Sequence, residues 1–284
     1  MTSESWQVRP AVRADQRRIA DLMFSEAHVH RHLDWRPPLA WLGGPDYWVI
    51  ESGKSLLAAM ACPQDPPRIA WVRVFVFASP LGPLEAWSTL CEAARLSLAR
   101  AGGALLAAIA VKPWFQNVLR ESSFTLRQSI VLLEWTSNPI SVRPPPDGLM
   151  LRPMQREDLP EVARVDADAF DPLWANSRDI LEQALAQSVS ASVAERSDRL
   201  LGYQISTGNA FGTHLGRLAV RREAQRHGVG EALLSDLMQQ MRRQGAWRVT
   251  VNTQDDNIAS LKLYERMGFA RTGEAYPVFA CEVQ

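Results

Sequence analysis

The chain has 284 residues and carries 31 Lys+Arg against 31 Asp+Glu, a formal net charge of zero. That length suits two domains of ordinary size, and the balance excludes a global pull toward nucleic acid or an anionic membrane, so any anion site must be local. Cys62, Cys91 and Cys281 are odd in number and lack CxxC spacing, which argues against a disulfide framework and fits a reducing cytoplasm. The opening MTSESWQVRP has no basic segment followed by an apolar run, and the apolar stretch 104–111 is too short to cross a bilayer. A soluble, unexported protein is expected, with no nucleic-acid or membrane partner.

In chain order, VRPAVRADQRRIADLM from Val8 reads as a short strand and then a helix. HVHRH, from His28 to His32, brings three histidines together, but no fourth ligand accompanies them before the DWRPP turn. It reads as a polar loop or partial helix, and no metal site is expected. Eight of the ten tryptophans lie before residue 136 (Trp6, Trp35, Trp41, Trp48, Trp71, Trp87, Trp114 and Trp135), where core packing accounts for most of them. TSNPISVRPPPDG then interrupts both helix and strand, because proline lacks the backbone donor and has a fixed φ. Residues 137–148 are therefore expected to link a domain at 1–136 to one at 149–284.

The two sides repeat. LRPMQREDLPEVARVD from Leu151 resembles the segment from Val8, with Arg9 matching Arg152 and Asp15 matching Asp158; VLRESSF (118–124) matches LYERMGF (263–269). In the second copy a strand at 150–152 precedes helices over 159–170 and 180–187. A hairpin pairs 190–195 with 200–207 through a polar turn, and a strand at 212–220 follows. Val229, Leu233, Leu237 and Met241 recur at helical spacing up to Gly245. Trp247, Val249 and Val251 alternate as a strand. A last helix from Asn257 should bury Ile258, Leu261 and Met267, and a strand over 275–283 closes the chain.

AVRREAQRHGVGEALL (219–234) sets two glycines at the start of a helix. Helix N-termini expose unpaired amides and partial positive charge, a ready site for phosphate, and Gly228 and Gly230 leave the backbone bare there, with Gln225, Arg226 and His227 as further donors. LAV (218–220), QRHGVG (225–230), VNTQDDN (251–257) and LYERMGF (263–269) together resemble, in order and spacing, the GNAT superfamily of acyl-CoA-dependent N-acyltransferases. The resemblance covers about Leu151 to Val283 well and the first copy in outline.

What it implies is an α/β chain of two tandem GNAT-like domains, each a twisted, mostly antiparallel sheet with a splayed parallel pair, flanked by helices. Coenzyme A would lay its pyrophosphate on Gln225, Arg226, His227, Gly228, Val229 and Gly230 and its pantetheine along Leu218, Ala219 and Val220, with Asn257 and Ser260 beside the arm. Tyr264 matches the family's general acid, and His214, six residues before Val220, occupies the place of a carboxylate base, with Glu195 as the alternate. The acceptor side would include 168–177, where Phe170 and Trp174 offer apolar walls and Asp168 or Asp171 could attract a cationic amine, and Tyr276. In the first copy VFASPLGPLEAWSTL (76–90) lacks the paired glycines, and Lys112 and Leu119 stand where Asn257 and Tyr264 do, so that copy is expected to be structural. The expected activity is transfer of acetyl from acetyl-CoA to a small-molecule or peptide amine by direct attack, without metal, by a monomer or homodimer. A mycothiol-synthase-like acyltransferase and a non-catalytic acyl-CoA sensor are the alternatives.

Overall fold

The computed structural model describes residues 6–136, 144–209 and 212–284. The linker expected at 137–148 lies outside the described residues over 137–143. The chain forms two compact units, Met1–Gln128 with Tyr276–Gln284, and Ser129–Ala275. This division differs from 1–136 and 149–284 at both ends. The last strand of each copy starts in its own unit and finishes in the other.

The first unit contains β1 (Gln7–Pro10), α1 (Gln16–Ser25), β2 (Val29–Arg31), β3 (Tyr47–Ser52), β4 (Ser55–Ala61), β5 (Ile69–Trp71), β6 (Val74–Phe77), α2 (Pro83–Arg100), β7 (Ala104–Ile109), α3 (Pro113–Arg120) and the start of β8 (Thr125–Trp135). One antiparallel sheet has the order β1-β3-β4-β6-β2. β5 lies parallel to β7. HVHRH is thus a strand at its centre and not a loop: His30 is buried with its Nε2 3.0 Å from the Val72 carbonyl, and His28 stacks on Phe77. A core of Phe75, Trp87, Leu90, Leu98, Leu106 and Phe115 sits between sheet and helices.

The second unit adds β9 (Met150–Pro153), α4 (Leu159–Ala169), α5 (Arg178–Ala186), β10 (Ser190–Arg196), β11 (Arg199–Asn209), β12 (Gly212–Val220), α6 (Val229–Arg243), β13 (Val249–Gln254), α7 (Ile258–Arg266) and the start of β14 (Ala270–Val283). β9, β10, β11 and β12 pair antiparallel in that order, and β12 runs parallel to β13. Ile130–Trp135 of β8 covers the far side of β13. The apolar stripe of α6 is buried as its spacing requires, with Val229, Leu233, Leu237 and Met241 all at or below 1% exposure. Three details differ from expectation. Trp247 precedes β13 and is exposed, Ile258 is exposed at the first turn of α7, and β14 begins at Ala270. Trp135 packs in the second unit's core.

The residues that betray the repeat are structural. Arg9 grips Asp15 through both terminal nitrogens (2.7 and 2.9 Å) and reaches Glu51 at 2.6 Å; Arg152 holds Asp158 (2.7 and 2.9 Å) and Glu195 (3.1 Å) in the same way. In each copy this triad ties the strand before the first helix to the helix entry and to its neighbour in the sheet, β3 or β10. Hydrogen bonds from Arg9 hold the Asp15 and Glu51 carboxyls down to about 2. Because both folded pKa values lie below the ordinary ones, the triad's contribution is present above about pH 4.5 and lost as pH falls toward 2. Arg9→Met is expected to cost about 1–2 kcal/mol at pH 7, a partly exposed version of a charged hydrogen bond. The gap to the wild type in urea unfolding should narrow between pH 4.5 and pH 2.

Candidate functional site

β12 pairs with β13 only at Thr213↔Val249, His214↔Thr250 and Leu215↔Val251. The next residue, Gly216, is a bulge against β11, where Ile205 faces Arg217 but Ser206 faces Leu215. An extra residue bends a strand, so Arg217–Val220 turns away from β13 and a wedge opens between them. Arg221 donates its amide to Leu201 at 2.8 Å, so by alternation the Leu218 and Val220 amides point into the wedge. The wedge holds a cavity of about 90 Å³ whose lining includes Phe170, Trp174, Leu218, Asn257, Ser260 and Tyr264. A wider groove of about 710 Å³ lies on α2 of the first unit and contains none of the expected site residues.

At the end of the wedge-facing strand the chain turns into α6. Gln225, Arg226, His227 and Gly228 are exposed, while the Val229 side chain is buried in the core and contributes only its amide. Gln225 spends its side-chain amide on the Val220 carbonyl at 3.1 Å. The first intrahelical bond of the turn is Ala232 to the Gly228 carbonyl, and no side chain caps the helix, so the amides of Val229 and Gly230 remain available. Gly228 has φ +81°, and a Cβ there would meet the Pro146 ring at 2.9 Å, so its glycine is demanded by backbone and packing as well. Gly230 has ordinary space, its nearest neighbour being Leu263 at 3.5 Å. In the first unit the matching helix starts with Pro83, which has no amide to offer, and Glu85 accepts from the Gly82 amide at 3.4 Å.

Asn257 caps α7, its Oδ1 accepting from the Ser260 amide at 3.2 Å. One and two turns on, Ser260 and Tyr264 face the same cavity. Burial pushes the Tyr264 phenol above its ordinary value of 10, with Arg217 and Ser260 pulling the other way, so the phenol keeps its proton at neutral pH.

The structure does not bring His214 to that cavity. The bulge reverses the alternation of β12: Leu215, Leu218 and Val220 all pack toward α6, which leaves His214 on the other face and breaks the expected grouping of His214 with Leu218 and Val220. Its ring nitrogens engage Thr250 Oγ1 (2.9 Å) and Asn252 Oδ1 (3.1 Å), and it lines a separate cavity with Thr207, Thr213 and Arg248. Burial lowers its pKa, opposed by the Asn252 bond. Glu195 is held by Arg152. Asp168 accepts from the Arg222 amide at 2.8 Å, Asp171 is exposed near Arg222, and Tyr276 falls in the first unit.

One group at the wedge went unread in the sequence. Asp166 on α4 is fully buried and takes a two-pronged bond from Arg217 (2.7 and 2.8 Å), the Tyr203 hydroxyl, and the Asn176 amide at 2.7 Å. Arg217 also donates to the Trp174 carbonyl at 2.6 Å and lies 3.5 Å beneath the Phe170 ring centroid. Burial opposes its charge, but Asp166 and Tyr203 outweigh it and raise the guanidinium pKa. A signal existed: Asp166 is four residues past Val162 and seven past Leu159, a carboxylate on an apolar stripe.

Residues 154–269 match the model of the acetyltransferase (GNAT) family. N-alpha-acetyltransferase 30 of Schizosaccharomyces pombe is 28% identical over 89 residues, 30% of this chain, which thereby spans 59% of that relative's length. A GCN5-related N-acetyltransferase from Anabaena variabilis aligns at TM-score 0.71 with 12% identity over 99% of this chain and 73% of that one. A tandem GNAT protein from the clavulanic acid biosynthesis pathway aligns at 0.66 with 16% identity over 99% of both chains. At such identities the likeness is one of fold.

The two glycines separate by stability. Gly228→Ala should destabilise by about 1–2 kcal/mol, since a side chain is forced into left-handed backbone. Gly230→Ala should be neutral or stabilising by up to about 1 kcal/mol, a helical position with room. Urea unfolding of both variants checks this.

Proposed function

Residues 154–269 make this chain a member of the GNAT superfamily of acetyltransferases, and from that premise we propose that its second unit transfers an acetyl group from acetyl-CoA to an amine. The observation that carries the reading is the wedge itself. An open strand edge with the Leu218 and Val220 amides facing inward adjoins a helix end whose Val229 and Gly230 amides are bare, and a protonated tyrosine lines the same cavity.

The donor supplies an activated thioester. The amides of Val229 and Gly230 suit its diphosphate, with Arg226 and His227 exposed beside them, because unpaired donors and the helix dipole attract anions. The edge of Leu218, Ala219 and Val220 suits the amides of the pantetheine arm, which would add as a short strand. Asn257, whose Oδ1 is taken by the Ser260 amide, donates one Nδ2 hydrogen to Gln254 Oε1 at 3.5 Å and has its second for the arm; Ser260 lies against Tyr264.

In the reaction the neutral amine nitrogen bonds to the thioester carbonyl carbon and the carbon–sulfur bond breaks. Tyr264 gives its phenolic proton to the departing sulfur and regains one from the acceptor's nitrogen through solvent. No proton transfer is assigned to His214 or Glu195, whose polar atoms are committed elsewhere. Phe170 and Trp174 wall the acceptor side. The similarity to an N-alpha-acetyltransferase makes a peptide α-amino group the first acceptor to try, beside lysine, polyamines and aminoglycosides.

Titration calorimetry with acetyl-CoA, followed by thiol release with that amine panel, tests the reading. Binding without acceptor-dependent release would reduce the unit to a sensor. Tyr264→Phe is expected to lower kcat about 10²-fold or more with CoA affinity within threefold. Since burial raises the phenol's pKa, wild-type turnover should show no alkaline decline below pH 10; a descending limb there would remove Tyr264 as donor. Gly230→Glu should raise the Kd for CoA at least about tenfold through repulsion of the diphosphate, with no loss in Tm, because an acid in the first turn favours the helix.

A further inference from the structure

The two units solve one backbone problem in opposite ways. In the first, the connection after α1 enters the wedge as β2: Val29↔Val76, His30↔Phe75 and Arg31↔Val74 pair, and the His32 amide donates to the Arg73 carbonyl at 2.9 Å. The edge that the second unit leaves open at Leu218 is here filled by the chain itself at Phe75. In the second unit the matching connection, after α4, stays out. Its backbone groups find partners elsewhere, the Trp174 carbonyl on Arg217 and the Asn176 amide on Asp166.

The register identifies what differs. Ala61 pairs with Val74 as Ile205 pairs with Arg217, and Arg9 to Met23 spans the same interval as Arg152 to Asp166. The first unit therefore has Met23 and Val74 where the second has the ion pair. Polar backbone groups taken from water must be paired. In the second unit the Asp166–Arg217 pair satisfies the connection away from the strand edge; in the first the matching positions are apolar, a buried Asp34–Arg73 pair (2.8 Å) ties the connection beside the start of β6 instead, and the edge itself supplies donors and acceptors to β2.

We propose that Asp166, Arg217 and Tyr203 form a positioning network that holds the α4–α5 connection off β12, and so keeps the wedge open for a ligand. Without the network the connection would enter the wedge as β2 does in the first unit. The proposal rests on the acetyl-CoA reading only where CoA affinity is the readout.

The test is the full chain carrying Asp166→Met, Tyr203→Phe and Arg217→Val, which gives the ion pair the first unit's residues and removes the hydroxyl that would be orphaned. Replacing a buried ion pair by apolar residues is tolerated far better than breaking it. Without ligand, exchange of the Leu218 and Val220 amides is expected to slow at least tenfold against wild type, and the Kd for CoA to rise at least tenfold. Replacing 172–175 by two glycines in that variant should restore CoA affinity to within threefold of wild type, because the shortened connection no longer reaches the edge. Unchanged exchange in a folded variant, or affinity that shortening does not restore, would overturn the proposal. A readout on unmodified protein stands whatever the variant's folding: the Leu218 amide should exchange faster than that of Phe75, and equal protection overturns the proposal too. Wild-type protein that binds no CoA would overturn the acetyl-transfer reading instead, and the ligand-free exchange readouts then support or overturn this one by themselves.

Discussion

A strand edge carries amides and carbonyls that must find partners, and the architecture of both units turns on what they find. In the second unit β12 leaves β13 at the Gly216 bulge, so the edge at Leu218 and Val220 is bare. The same bend turns Leu218 and Val220 toward α6, where they pack with Val229 and Leu233, and it delivers the chain to the exposed turn before that helix. Wedge and approach to the helix end thus follow from one extra residue, while α7 independently brings Tyr264 to the same cavity. In the first unit the break between β5 and β6 serves the same bend, but β2 covers the edge and proline and glutamate occupy the helix start.

Keeping such an edge open requires that neighbouring backbone be satisfied some other way. Asp166 and Arg217 do this from inside the unit, joining α4, β12 and the 170–177 connection through bonds of 2.6–2.8 Å, with the Tyr203 hydroxyl tying in β11. A buried charge left alone costs several kcal/mol, so removing either Asp166 or Arg217 would leave its partner stranded. Phe170, stacked on the guanidinium, is fixed by the same contact that walls the cavity. The Arg9 and Arg152 triads, by contrast, are part-exposed ties within their own units. They look alike in sequence because they do the same structural task in both copies.

Much of this was legible in the residues. The period of α6, the strand at 212–220, the helix beginning at Asn257 and the glycine turn all follow from local rules, since each is set by side chains a few positions apart. The grouping of His214 with Leu218 failed because strict alternation assumes an unbroken strand, and one glycine in the wrong register inverts every later face. The apolarity of Ile258 suggests core, but it starts a helix whose buried face is carried by Leu261 and Tyr264. HVHRH by itself suggests a loop or partial helix because its partner, β6, is more than forty residues away.

By itself the sequence determined the kind of chain: two repeated α/β modules, a helix start with bare amides in the second copy only, and a tyrosine two turns from an asparagine cap. These are short-range properties, encoded in spacing. Tertiary structure decided which strand finishes which unit, on which side of the sheet His214 lies, that Asp166 and Arg217 meet across 51 positions, and that one wedge is filled while the other stays open. Those outcomes depend on which backbone groups find partners first in three dimensions, and no local pattern records a competition between distant donors for the same strand edge.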